Sequence, residues 1–237
     1  MEKEFPITRQ QSRELSDTLL KSHGISIPIK HNVHSWGWHD HYVWSVAFGP
    51  DGKYILSGSA DGTAILCDIS TGRKIRTFEG HSNAISSIAI SPDGKNVLTG
   101  SHDKIAVLWN IAAGQQIRTF AGHTGGVNSV AFSPDGKFIL TGSWDNTAIL
   151  WDVISGRKIK TFAGHTDEVK SVAFSPDGRF ILTGSRDKTA ILWDVISDRK
   201  IRTFAGHTKG VTSVAFSPDG RFILTGSGDN TAILWDV

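Results

Sequence analysis

Histidine and aspartate recur beside serines and threonines along this sequence: His39 with Asp61, His81 with Asp103, His123 with Asp145, His165 with Asp187 and His207 with Asp229. These are the residue types of a nucleophilic triad, in which a carboxylate orients an imidazole that activates a hydroxyl. An active site is needed once, whereas a structural rule repeats in every module, so five occurrences point to structure rather than catalysis. A second set, His31, His34, His39 and His41, has spacings a metal could use. His39 already belongs to the recurring set, and no cysteine or carboxylate cluster completes a shell, so no metal is expected. No glycine loop is built to cradle phosphate, because the glycines sit at turns and strand crossings. The sequence is read as non-enzymatic, without catalytic residues or cofactors.

The elements that position these residues follow from one period. Gly164 to Val195 returns 42 residues later as Gly206 to Val237, with changes only at Asp167/Lys209, Glu168/Gly210, Lys170/Thr212, Arg186/Gly228 and Lys188/Asn230. The unit also starts at Gly122 and Gly80, and a decayed copy starts at Trp38. Units this short cannot bury their own apolar faces and must stack on neighbours, so the repeats form one domain.

Four strands are legible in each unit. In the third copy, Val127–Phe132 is a nearly continuous apolar run that suits burial on both faces. Ser133-Pro134-Asp135-Gly136 has the chemistry of a type I turn, and Phe138–Ser143 follows. Asp145-Asn146 makes the next turn before Thr147–Asp152. After Ile154–Arg157 the strand Lys158–Phe162 carries alternate lysines, as an exposed edge does.

Composition bounds the partners. A formal charge of +2 gives no reason to expect nucleic acid or an anionic membrane. The amino terminus lacks an apolar leader core and no run approaches a membrane span. Cys67 is the one cysteine, which fits a reducing, cytoplasmic setting. Residues 1–30 read as an extension with a short amphipathic helix from about Arg9 to Ser22, with Thr8 and Gln11 as its capping box.

Gly-His near the start of each unit, an Asp in the second turn and Trp-Asp ending the third strand resemble the Trp-Asp (WD) repeat family of β-propellers, over residues 31–237. The resemblance implies an all-β fold of four-stranded antiparallel blades, five in number, starting near residues 38, 80, 122, 164 and 206. It further implies that a His, an Asp, a hydroxyl and the Trp of each blade form one hydrogen-bonded set. The residues are His81, Asp103 and Trp109; His123, Asp145 and Trp151; His165, Asp187 and Trp193; and His207, Asp229 and Trp235. In the third blade the hydroxyl is Thr141, with Ser143 as the alternative. In the first blade Cys67 replaces Trp and Trp38 replaces Gly, so its set is expected to be incomplete.

Shifting the sequence by one period lays Val33 under Ile75 and Trp36 under Phe78, a spare copy of the last strand placed before the first unit. Intramolecular closure of five blades by this strand is expected, each turning about 72° where seven would need about 51°. The same strand could instead pair with a neighbouring molecule, giving head-to-tail self-association.

The last two copies differ only at one end of the blade. By blade the variable positions are Tyr42, Trp44 and Ala60; Ala84, Ser86 and His102; Gly126, Asn128 and Trp144; Glu168, Lys170 and Arg186; Gly210, Thr212 and Gly228. Aromatic and Arg side chains are the types that anchor interfaces. The expected function is a scaffold that binds a protein or peptide through this top face, using Tyr42, Trp44, His102, Asn128, Trp144, Lys170, Arg186 and Lys209. The lysines and Arg186 favour an acidic or phosphorylated partner. Head-to-tail self-assembly by strand exchange and lectin-like sugar binding are the competing readings.

Overall fold

Turn chemistry spaces the strands. Gly136 N–H donates to Ser133 O at 2.9 Å, Ser133 Oγ donates to Asp135, and Asp135 accepts the Lys137 N–H. Gly136 has φ +70°, where a side chain would be strained. The next turn puts Asn146 at φ +68°, a left-handed conformation that Asn tolerates well. Asp152 closes the third turn by accepting the Ser155 N–H at 2.6 Å. The same bonds recur a period apart.

The computed structural model describes residues 37–237. The chain divides into two units, Met1–Trp36 and Gly37–Val237. The expected helix at about Arg9–Ser22 and the spare strand at Val33–Trp36 lie outside the described residues. The described residues form five antiparallel sheets and no helix. Blade one is β1 (Val43–Phe48), β2 (Tyr54–Ser59), β3 (Ala64–Asp68) and β4 (Lys74–Phe78). Blade two is β5 (Ile85–Ile90), β6 (Asn96–Ser101), β7 (Ile105–Asn110) and β8 (Gln116–Ala121). Blade three is β9 (Val127–Phe132), β10 (Phe138–Ser143), β11 (Thr147–Asp152) and β12 (Lys158–Ala163). Blade four is β13 (Val169–Phe174), β14 (Phe180–Ser185), β15 (Thr189–Asp194) and β16 (Lys200–Ala205). Blade five is β17 (Val211–Phe216), β18 (Phe222–Ser227) and β19 (Ala232–Asp236), with three strands among the described residues.

Every first strand carries a bulge. In blade three Ser143 pairs with Val127 and Gly142 with Ser129, which leaves Asn128 as the extra residue. Trp44, Ser86, Lys170 and Thr212 are skipped in the same way. A bulge re-aims one side chain and resets the alternation. Val127 and Val130, three apart, thereby reach the same neighbour, the backbone of Gly100 in blade two.

Blades pack through this geometry. Leu140, Ala148, Leu150 and Phe162 of blade three form one buried cluster with Val169, Val172, Ile181, Ile191 and Trp193 of blade four. A Cβ on Gly142 would lie 2.7 Å from methyl groups of Val169 and Val172, so this glycine is required by close approach. Ser129 Oγ accepts the Val172 N–H at 3.1 Å, and Ser45, Ser87 and Ser171 repeat that bond in their own pairs. On the outer side, Arg118 donates to Ile154 O and Ser155 O of the next blade.

Burial peaks in the second and third strands, which corrects the expectation that the first strand is buried on both faces. Val127 and Val130 are buried, but Ala131 and Phe132 are half-buried. The first strands of blades two to five converge on a concavity of about 480 Å³, lined in part by Phe132, Phe174 and Phe216, which leaves that side of each strand open. The fourth strands are exposed or half-buried, with one fully buried anchoring Phe each.

Candidate binding face

The recurring polar residues meet inside each blade. In blade three His123 Nδ1 lies 2.8 Å from Asp145 Oδ2, and its Nε2 lies 2.8 Å from Thr141 Oγ1. Trp151 Nε1 donates to that same Thr141 oxygen at 2.9 Å. The consistent assignment has Nδ1–H donating to the carboxylate, the Thr141 hydroxyl donating to Nε2, and the indole donating to the hydroxyl oxygen. Ser143, the alternative hydroxyl, instead donates to Gly125 O and accepts the Asp145 N–H. Thr99, Thr183 and Thr225 repeat the Thr141 role with His81 and Trp109, His165 and Trp193, and His207 and Trp235. Asp103, Asp187 and Asp229 complete the three sets at 2.7–2.9 Å from the imidazole.

Electrostatics follow from burial and bonding. Burial, the largest effect at His123, pushes its pKa down, against the opposing charge of Asp145. At Asp145 burial works upward but is outweighed by bonds from Thr147, the Thr124 N–H and His123, so its carboxyl stays below the usual range. Asp187 follows the same balance. Each hydroxyl is clamped between an imidazole and an indole in a buried position, so the set ties the second and third strands of a blade to the turn between them and to the link that enters the blade, rather than facing a substrate.

Blade one lacks the indole. His39 still contacts Asp61 at 2.9 Å and Ser57 Oγ at 2.8 Å, while Cys67 Sγ turns to Asp68 O. Asp61 is lowered to about 2, hydrogen bonds from Thr63, His39 and the Asp40 N–H overcoming its burial. Of the histidines with metal-like spacing, His31 and His34 lie outside the described residues, and His41 accepts the Tyr42 N–H. No group of three His, Cys, Asp or Glu suited to a metal occurs among the described residues.

A family model for the WD domain, G-beta repeat, matches residues 30–68, 72–110, 114–152, 156–194 and 198–236. The chain belongs to the WD40 family. Its proteins are generally scaffolds for protein interactions and are typically non-enzymatic. No curated protein sequence matches the chain. The second to fifth WD40 matches each open with the outer strand of one blade and close with the third strand of the next, so sequence repeat and blade are out of phase. No helix among the described residues is long and apolar enough to cross a membrane.

The positions that vary between repeats are joined at one end of every blade. Ala60 N–H donates to Tyr42 O, His102 to Ala84 O, Trp144 to Gly126 O, Arg186 to Glu168 O and Gly228 to Gly210 O. Across blades one to three, three of the expected residues form a stack. The His102 ring lies 5.0 Å from Trp44 and 4.3 Å from Trp144, tilted to both. Gly126 permits this, because a Cβ there would stand 2.9 Å from the Trp144 ring and 3.1 Å from the His102 backbone. Burial, followed by the charge of Lys170, lowers the His102 pKa and favours a neutral ring. Trp44 and Trp144 remain 47% and 39% exposed, an unusual surface position for two indoles.

The other expected residues are placed differently. Tyr42 stands clear, with its ring edge against His41. Asn128 is turned inward by the bulge and donates to Val169 O at 2.9 Å, tying blade three to blade four. Lys170 and Arg186 share Glu168, at 2.6 Å and 3.4 Å, and Arg186 also reaches Asp167 at 4.0 Å. The cationic side expected from Lys170, Arg186 and Lys209 is therefore largely neutralised within blade four. Lys209 has no ion pair among the described residues.

Proposed function

We propose that this WD40 chain is a non-catalytic scaffold that holds a protein or peptide partner on the variable face, with the Trp44–His102–Trp144 stack as anchor. The stack is the observation that carries the reading. Two exposed indoles around a neutral imidazole offer flat apolar area with N–H donors at the edges, the chemistry of interface hot spots. An acidic group of the partner belongs at Lys209, since Lys170 and Arg186 are already engaged. Blade five, with Gly210, Thr212 and Gly228, is the weak sector. The low net charge argues against nucleic acid or a membrane as principal partner, and the single buried cysteine suits a reducing cytoplasmic setting.

The test is selection of a displayed random-peptide library on the immobilised chain, followed by titration of the selected peptides. Trp144→Ala should raise Kd by 10-fold or more, about 1.4 kcal/mol, with an unchanged melting curve. Arg186→Ala should change it less, because its guanidinium is already shared with Glu168. Selected peptides that bind wild type and Trp144→Ala equally would overturn the assignment of the anchor.

A further inference from the structure

The spacing of the two exposed indoles limits what can lie across them. The Trp44 and Trp144 rings each lean on His102, at centroid distances of 5.0 Å and 4.3 Å, and make no ring contact with each other. The indoles therefore stand more than about 7 Å apart, the limit of a ring pair, and no more than about 9.3 Å. They form an apolar ridge that runs from blade one across blade two to blade three, with His102 between them.

Hydrogen bonding and charge narrow the choice further. Trp109, Trp151, Trp193 and Trp235 each donate the indole N–H to a threonine of their own blade, whereas Trp44 Nε1 and Trp144 Nε1 have no acceptor among the described residues. The charged groups acting on His102 are Lys170, Asp103 and Glu168, and each is already paired: Lys170 with Glu168, and Asp103 with His81. An occupant of the ridge thus meets flat apolar rings and two free N–H donors, but no uncompensated charge at His102. It must itself be neutral and apolar, with free carbonyl acceptors. An α-helix bonds its carbonyls internally and turns once every ~5.4 Å, and a β-strand returns to the same face every ~6.8 Å. Polyproline II leaves its carbonyls free and returns to the same face every three residues, about 9.3 Å. That single turn matches the reach of the two indoles.

From this we infer that the Trp44–His102–Trp144 ridge receives a proline-rich segment of a partner protein in the polyproline II conformation, with prolines three residues apart, one on each indole. This occupant deepens the reading of the stack as an anchor and rests on it. The proline rings lie flat on the indoles, and carbonyls of the segment accept the two free indole N–H groups. A preformed extended segment loses little conformational entropy on docking, which suits a ridge of only three side chains.

The test uses the full chain and two uncharged peptides of the same composition, acetylated and amidated, in which two prolines stand either three or four residues apart. Binding is read from the indole N–H resonances of Trp44 and Trp144, each identified by its loss in the corresponding Trp→Phe variant. The three-apart peptide should shift both resonances saturably, with a Kd about 10-fold or more below that of the four-apart peptide. Trp44→Ala and Trp144→Ala should each raise that Kd by about 10-fold or more with unchanged melting curves, and Trp→Phe, which keeps a ring but loses the N–H, should raise it less. Equal binding of the two peptides, or binding of neither, overturns the proline assignment. If library-selected peptides still depend on Trp144 in that case, the anchor stands and only its occupant is wrong; if they do not, both fall. Shifts of both resonances by cellohexaose, with none by the three-apart peptide, would overturn the assignment in favour of a sugar.

Discussion

Blades one and three are built to the same plan and differ in what fills one corner. In blade three the Trp151 ring lies against Gly122, where a Cβ would stand 2.8 Å from the indole. In blade one the two positions exchange bulk: Cys67 stands for the Trp and Trp38 for the Gly. The imidazole keeps both of its contacts in either blade, so the His–Asp–hydroxyl set persists without the indole. A smaller exchange separates blades two and three on the outer rim. Arg118 arches over Gly156, whereas Lys160 in the next pair bonds Val195 O, Ile196 O and Asp198, an Asp where the other units have Gly. Such paired changes show that the unit tolerates replacement when the partner changes with it.

The contrast is broken most severely at the shared hydroxyl. Thr141→Val should cost about 3 kcal/mol or more in urea unfolding, because His123 Nε2 and Trp151 Nε1 both lose their partner in a buried place. Ser57→Ala in blade one strands only His39 and should cost about 1–2 kcal/mol. Equal costs would show that the indole bond contributes nothing.

Next in size is the exchanged corner. Cys67→Trp should destabilise by about 1–3 kcal/mol through overpacking, since Trp38 occupies the position that is Gly in the other blades. The double change Cys67→Trp with Trp38→Gly should recover most of that loss. Additive losses in the thermal melts would sink the idea of compensation.

The smallest effect per group is in pH dependence. His123 has its folded pKa below the ordinary 6.5, so the unfolded chain takes up the proton first and stability begins to fall as pH drops below that value. Asp61, Asp145 and Asp187 lie below 3.8 when folded, so their contribution is kept above that pH and lost beneath it. Tm against pH should therefore fall in two stages. His123→Gln should shrink the upper stage, to which His102 also contributes, and leave the lower one.

Strand positions and turns were legible because the turn chemistry and the period are strong, and only the last strand of the third unit extends one residue beyond the reading, to Ala163. The polar set was legible because it recurs. Three things were not. The bulge was missed, although Val127 and Val130 at an odd spacing, repeated in every unit, were its available signal. The inward turn of Asn128 depends on that bulge, and the neutralisation of Lys170 and Arg186 depends on Glu168, so a list of variable residues overstated both the reach and the charge of the face. The clamp from Arg118 to the following blade joins residues about one period apart, a spacing that no pattern within a single unit exposes.

The sameness of the blade faces bears on how such a chain can change length. Any trailing face here accepts any leading face, since the residues in contact are nearly the same from unit to unit. Duplication or loss of one whole unit by unequal crossing-over therefore leaves every remaining junction matched, and the product needs no compensating mutation to fold. Tip residues that touch no neighbouring blade can then drift without disturbing a junction, whereas a bulged residue such as Asn128 is held by its bond to the next blade. Near-identical copies with divergent tips are the record such a history leaves.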